Sequence, residues 1–568
     1  MGQVPEGRPK FFRTKMKTTK PRSMPFWFLL ALVLLSFLSA GASTQAPAQS
    51  QTPDSHDPVA HPAPGDASKA PEESSDQHAE ENGKTSPPPG ETKISPKEAE
   101  ALFRSVDEII KFSSTDTGLP IRHQVKRRLI SRDELTSYLQ KHMEEDKDSQ
   151  RLKRSELVLK KFGLLPRNFD LHAFLIALLR EQVAGYYDVK TKTVNLLDWV
   201  DAEQQKPVLA HELTHALQDQ SFHLEKWMKS GAVDLGTSKK NPTPEDIERD
   251  EAQTVRQAVV EGQAMAVLID YMLAPTGQSL TTSPQIVEAL KAGMLVGTAD
   301  SIQFQNAPIF LKELLTFPYR YGLDFVSDVL RKDGKQKAFA GILANPPRTT
   351  REIMEPKTYL AGEHLAPLAL PNFSELLKNY EKFDVGSMGE FDVALLIDEY
   401  AGGDAAKSLY PEWRGGYYYA GRPKGDANAP LAIAYVSQWA SPGVAQKFAD
   451  IYRESLKKRY RSIRLVNLNK SKTAEAVQRS SHDREWLTED GDVVIDVAGA
   501  TVFITESIDD VSSAKLRDAV LNRAAISESK RSAEIPSELC SSLSAGVSAW
   551  ALLPASQWVR TDRPSPSQ

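Results

Sequence analysis

The chain has 568 residues, long for one ordinary domain, and its 40% apolar and 8% aromatic content can build a sizeable core. A net charge of −5 with no basic stripe argues against nucleic acid as a partner. The single cysteine, Cys540, excludes an internal disulfide framework and a zinc ribbon and is compatible with export.

At the N-terminus, Lys15, Lys17, Lys20 and Arg22 precede the apolar run FWFLLALVLLSFL, and Ala40-Gly41-Ala42 follows. Positive, apolar, then small is the layout of a secretory signal peptide. The run is shorter than the roughly 20 apolar residues of a membrane span. Residues 1–42 are therefore expected to be a cleaved signal, leaving a periplasmic or extracellular protein. A retained N-terminal anchor is the alternative, and only then would the chain meet a membrane. No cysteine stands at the cleavage site to carry a lipid, and no second long apolar segment is recognised.

Residues 43–96 are rich in Pro, Ser, Ala and acids, with His56, His61 and His78 scattered among them, and read as a disordered linker. From residue 97 the text becomes globular. AEALFRSVDEIIKF and RLKRSELVLKKFGLLP read as amphipathic helices, the second ending at Gly163 and Pro166. NFDLHAFLIALLREQ follows as a helix capped by Asn168 or Asp170. VAGYYDVKTKTVNLL alternates around a turn and predicts a β-hairpin over 183–197. Asp201 opens the next helix, the segment 229–243 breaks the pattern, and Thr243-Pro244-Glu245 starts a long helix to about Met272. Beyond about residue 380, GGYYYAGRP, PLAIAYVSQW and DVVIDVAGATVFITES predict strands. SPGVAQKFADIYRESLKKRY and DDVSSAKLRDAVLNRA predict helices, which together make a smaller α+β domain. The expected organisation is a main domain over 97–380, an α+β domain over 381–550 and a loose tail over 551–568.

The helix opened by Asp201 carries VLAHELTHALQDQ. Positions i and i+4 lie on one helix face, so His211 and His215 can point their imidazoles at one zinc ion. Glu212 sits beside them as a general base for water. Val208, Leu209, Ala210, Leu213, Ala216 and Leu217 make this helix apolar nearly all round, and buried polar groups there need partners. A third ligand is required. The extended HExxHxxGxxH scheme is absent, since position 218 is Gln and 221 is Ser. In TVRQAVVEGQAMAVLIDYM, Glu261 stands alone in an apolar helix and is the preferred ligand. Gly262 and Ala264 are small enough to let the zinc helix approach. The rival acids Glu245, Glu248, Asp250 and Glu251 belong to the charged stretch PEDIERDE and are expected to face solvent.

HELTHALQDQ resembles the zinc helix of the gluzincin metallopeptidases, the thermolysin type included, and EGQA at Glu261 is similar to the wording around their ligand glutamate. More closely, the chain is similar to uncharacterised exported bacterial proteins of metallopeptidase type. A stretch P-P-x-[ST]-T-E-Q-I-x-H-P-x-K-Y is usual in those proteins. Here it reads PPRTTREIMEPKTY, with Glu355 where the pattern has histidine, so a role of that histidine does not carry over. The gap from His215 to Glu261 is longer than in compact relatives, and Met265 stands where the thermolysin type has an aspartate that orients a ligand.

The resemblance implies an α+β fold: a mainly helical zincin-like metallopeptidase domain with a β-hairpin edge, followed by the smaller α+β domain. It implies one Zn2+ per chain on His211, His215 and Glu261, Glu212 as general base, and a polypeptide or peptide substrate laid along the hairpin edge. Tyr319, Tyr321, His223 and His364 are the candidates for stabilising an oxyanion, each with an ordinary structural role as the competing reading. Two other functions stay open: an exported binding or scaffold protein with a structural zinc site, and a zinc amidohydrolase acting on cell-wall peptides. No G-x-S-x-G, C-x-x-C or G-x-G-x-x-G offers a different chemistry.

Overall fold

A computed structural model describes residues 93–534, apart from 146, 183–184, 232, 234, 237, 239–240, 290, 292–300 and 467–484. The expected signal peptide, nearly all of the linker, the first two residues of the expected hairpin, Cys540 and the tail lie outside the described residues. In chain order the first elements are α1 (Pro96–Thr117), β1 (Lys126–Ile130), α2 (Arg132–Glu145), α3 (Lys147–Phe162) and α4 (Leu171–Gln182). β2 (Tyr186–Asp188), β3 (Thr193–Leu197), α5 (Ala202–Phe222), α6 (Leu224–Gly231), α7 (Pro244–Asp250) and α8 (Ala252–Leu273) follow. Then come α9 (Ile309–Gln336), α10 (Thr350–Met354), α11 (Pro356–Ala361), β4 (Tyr380–Ser387) and α12 (Glu390–Ala401). The last are β5 (Trp413–Pro423), β6 (Ala432–Trp439), α13 (Pro442–Arg459), β7 (Ile463–Val466), β8 (Glu485–Thr488), β9 (Gly491–Ala498), β10 (Thr501–Glu506) and α14 (Asp510–Glu534). The fold is of the mixed α+β class, with more helix than strand.

The chain divides into two compact units. Among the described residues, one comprises 93–145, Phe174–Leu224 and Gln263–Asn306, and the other comprises Lys147–Ala173, Glu225–Gly262 and 307–534. In the first unit, Ser95 caps α1 through a capping box with Glu98, and Gly118 ends the helix at φ 73°. Leu102, Val106, Ile109 and Ile110 recur at helical spacing, are buried, and face α5, against which α1 packs. The three strands form a sheet in the order β1-β3-β2, with β1 parallel and β2 antiparallel to β3, so β2 is an edge. Gln205 of α5 fastens the end of β3: it accepts from Leu197 N–H at 2.9 Å and donates to the Leu197 and Val200 carbonyls at 3.0 and 2.7 Å. A side-chain amide here completes the backbone bonding that a strand end leaves open.

In the second unit, a seven-stranded antiparallel sheet runs β4-β5-β6-β10-β9-β8-β7. Side chains alternate across it, as the pleat requires. Tyr417, Tyr419, Val436 and Phe503 share a core cluster with Phe373 and with Leu516 of α14. Tyr435 instead meets Phe162 of α3 and Phe448 of α13 edge to face and lies tilted against Tyr452 of α13. The sheet is thus covered on both faces. The expected caps at Ser441 for α13 and Asp170 for α4 are present, accepting from Val444 N–H at 3.4 Å and Ala173 N–H at 2.9 Å.

Two expectations about the stretch that holds α8 need correction. A long apolar segment beyond the N-terminal run does occur: among the described residues, Pro244–Thr276 is long and apolar enough to cross a membrane, and it is largely buried within the protein, as a core helix of that composition is. Gly262 does not serve an approach of α5: a Cβ there would stand 2.2 Å from the Gly322 carbonyl oxygen. The close approach is between α8 and α9.

Candidate metal centre

Asp201 starts α5 by accepting from the Glu203 and Gln204 N–H groups at 2.9 and 3.2 Å. Residues 208–219 are all buried, as an apolar helix surface demands, and polar side chains among them must be satisfied by the protein or by a ligand. His211, Glu212 and His215 are 1%, 2% and 5% exposed, and Glu261 of α8 is 1% exposed.

His211, His215 and Glu261 form a buried group whose candidate ligand atoms all lie within 4.8 Å of one another, and such a group could hold a metal ion. The two imidazoles meet edge to face at 87°, with Nε2 atoms 3.1 Å apart. Two nitrogens each about 2.0–2.1 Å from one tetrahedral ion stand about 3.4 Å apart, so this separation suits a shared metal. The donor set, two imidazoles and a carboxylate, is also the chemistry that zinc takes. Among the described residues no other group of His, Cys, Asp and Glu is drawn together in this way.

The partners of these side chains come from places that pattern alone does not mark. Glu212 Oε2 accepts the backbone N–H of Tyr187, in edge strand β2, at 2.8 Å. The Tyr187 hydroxyl donates to Asp219 Oδ2 at 2.9 Å, one step further along α5. Lys192 Nζ and the Leu224 N–H also donate to Asp219, at 2.6 and 3.1 Å. Burial and the Asp219 charge both push the Tyr187 phenol above its usual range, so it stays a donor. His215 Nδ1 lies 2.9 Å from Gln218 Oε1, and Gln218 Nε2 donates to Gln263 Oε1 at 2.8 Å. The group that orients His215, which no motif supplied, is therefore Gln218. Its signal was present: three residues past His215 puts it on the same helix face. Nothing in the sequence could have marked Tyr187, whose contribution is a backbone amide.

Comparison with protein-family models, with curated proteins and with solved structures finds no match. The functional reading therefore rests on the residues themselves.

None of the four oxyanion candidates belongs to the buried ligand group. His223 closes α5 in the left-handed conformation, at φ 53°, with its N–H on the Asp219 carbonyl at 2.9 Å. His364 Nε2 lies 3.0 Å from Arg348 and 3.3 Å from Glu248. Tyr319 is buried in α9, and Tyr321 beside it has its phenol pushed up to about 12 by burial and its neighbours.

The PPRTTREIMEPKTY stretch has a structural role in the second unit. Thr350 donates to Glu251 Oε2 through its N–H at 2.8 Å and its hydroxyl at 2.7 Å, and Ser387 donates to Oε1 at 3.0 Å. Glu251 is 6% exposed, so the expectation that PEDIERDE faces solvent fails at this residue. Burial pushes its carboxyl upward against those hydrogen bonds. Glu355, which replaces the histidine of the pattern, pairs with Arg351 at 3.1 Å. The stretch thus clasps the start of α8 to β4 and α12.

Proposed function

We propose that the chain is an exported zinc-dependent metallopeptidase of gluzincin type with a zincin-like main domain over 97–380. The observation that carries this reading is the buried convergence of His211, His215 and Glu261, with Glu212 adjacent on the same helix. A zinc ion held by these three residues supplies Lewis acidity toward a peptide carbonyl and toward water. Glu212 serves as general base, taking a proton from the attacking water and returning it to the leaving amine. The Tyr187 N–H fixes one carboxylate oxygen, so the base is oriented before substrate arrives. Strand β2 ends its sheet antiparallel to β3, but its three residues are buried and its Tyr187 N–H is given to Glu212, so the peptide substrate is proposed from the ligand group and not from an open edge. Export is supported by the charged, apolar and small-residue order of residues 1–42.

The test is zinc per chain by elemental analysis, run beside hydrolysis of an unfolded polypeptide and of peptidoglycan fragments. About one zinc is expected in the wild type and in Glu212→Gln, and less in Glu261→Ala. Glu212→Gln should retain the metal and lose polypeptide hydrolysis by about 10²-fold or more. Cleavage of peptidoglycan fragments alone would replace the peptidase by a cell-wall amidohydrolase. Bound zinc with no hydrolysis of either substrate would favour a structural site.

A further inference from the structure

Gln218 and Gln263 are both fully buried, at 0% exposure, and neither is a metal ligand. A buried amide has two donor hydrogens and an acceptor oxygen to place, which makes two of them in contact costly unless each answers a specific need. Their arrangement is directional. Gln218 Nε2 donates to Gln263 Oε1 at 2.8 Å, which leaves Gln218 Oε1, an acceptor only, against His215 Nδ1 at 2.9 Å. An acceptor at that distance requires the proton to be on Nδ1. In the neutral imidazole Nε2 is then bare, and it is Nε2 that faces His211 Nε2 at 3.1 Å.

We infer that Gln218 and Gln263 form a two-amide relay that presets His215 in its metal-binding tautomer before any metal arrives. Gln218 is the positioning residue. Gln263 accepts from the Gln218 NH2, which leaves the Gln218 oxygen for His215 Nδ1. The relay rests on the proposed zinc site and deepens it. Its neutral amides stand where a carboxylate would add a negative charge, so it fixes the ring and its lone pair without adding charge beside Glu212 and Glu261. Gln263 lies two residues beyond Glu261 on α8, so the helix that carries the third ligand also carries the far end of the relay.

Two readouts on the full chain test this. The first is the imidazole nitrogens of His215 in metal-free protein, by two-bond proton–nitrogen correlation with labelled histidine. A protonated Nδ1 and bare Nε2 are expected in the wild type; a protonated Nε2 would overturn the relay whatever the zinc result. The second is zinc affinity by competition with a chromophoric chelator. Gln218→Met keeps the side-chain length, removes both hydrogen bonds, and should weaken zinc about 10–100-fold. Gln218→Glu keeps an acceptor for His215 and should bind zinc at least as well as Gln218→Met, with Nδ1 still protonated. Gln263→Met should mix the two tautomers and weaken zinc less than Gln218→Met does. A folded Gln218→Met that binds zinc as the wild type does would overturn the inference. A wild type that binds no zinc would overturn the proposed function instead, while the tautomer measurement still decides the relay.

Discussion

Glu506 has no exposed surface, yet it carries a charge. Arg459 Nη1 and Nη2 donate to it at 3.2 and 2.7 Å, Tyr452 at 2.7 Å and Tyr460 through its hydroxyl, with Lys161 Nζ 4.0 Å away. Burial alone pushes this carboxyl up; Arg459 and Lys161 outweigh it and hold it below the ordinary glutamate value. Removing one member of such a set leaves the other charge buried without compensation. Glu506→Gln should therefore cost about 3–5 kcal/mol in urea unfolding. The double variant Glu506→Leu with Arg459→Met should recover part of that loss, because the stranded guanidinium is gone. A Glu506→Gln variant as stable as the wild type would show that the pair contributes nothing. The same asymmetry explains what could be read at the metal group. His211, His215 and Glu261 stand out because charged or polar letters in an apolar helix have few explanations. Tyr187, Gln218 and Gln263 answer to one another through single hydrogen bonds, which leave no period in the sequence.

At the scale of elements, the crossing of α8 and α9 is set by glycine rather than by large side chains. A Cβ on Gly262 would fall 2.2 Å from the Gly322 carbonyl oxygen, and one on Gly322 would fall 2.2 Å from the Ala258 carbonyl oxygen. The obstacle in each case is backbone, which cannot swing aside as a side chain can. Gly322→Ala should cost about 1–3 kcal/mol by overpacking. It should also weaken metal binding at the proposed site, because the turn of α8 that must yield runs from Ala258 to Gly262 and includes Glu261. Gly443→Ala in α13, where nothing beyond its own chain neighbours and helix backbone lies within 4 Å of the new methyl, is the matched control and should leave both thermal midpoint and metal affinity near wild type. Equal midpoints for the two variants would sink this account of the crossing. The helices themselves and the strands β5, β6, β9 and β10 were legible, because apolar period and capping residues are local signals. The partner of Gly262 was not legible. A small residue announces a close approach without naming the element that approaches.

For the whole molecule, the second unit gathers carboxyls, buried at Glu251, Glu352 and Glu390 and half-buried at Asp392, that do not all carry their charge comfortably. Burial, then the neighbouring Glu251 and Asp250 charges, push Asp392 up to about 7, and burial likewise raises Glu251, Glu352 and Glu390. An acid raised in the folded state holds its proton there while the unfolded chain has already lost it. Between about pH 4 and pH 7 the native state therefore binds more protons, and stability falls as pH rises through that window. The carboxyls of Glu506, Asp246 and Asp509 are lowered and act in the opposite sense, losing their stabilisation only on acidification below the ordinary carboxylate range. The two sets separate on the pH axis, so a neutral-side loss belongs to the raised group. Asp392→Asn isolates one member: Asp392 Oδ2 accepts the Gly389 N–H at 3.0 Å at the start of α12, and an asparagine oxygen can keep that bond without the charge. Thermal midpoints at pH 5 and pH 8 check it. The wild type should lose stability over that step, and Asp392→Asn should lose less, with the difference growing toward pH 8. Parallel slopes for the two proteins would place the pH dependence elsewhere. A steeper fall in the variant would contradict the raised Asp392 outright, since a charge that burial opposes cannot stabilise the fold it is buried in.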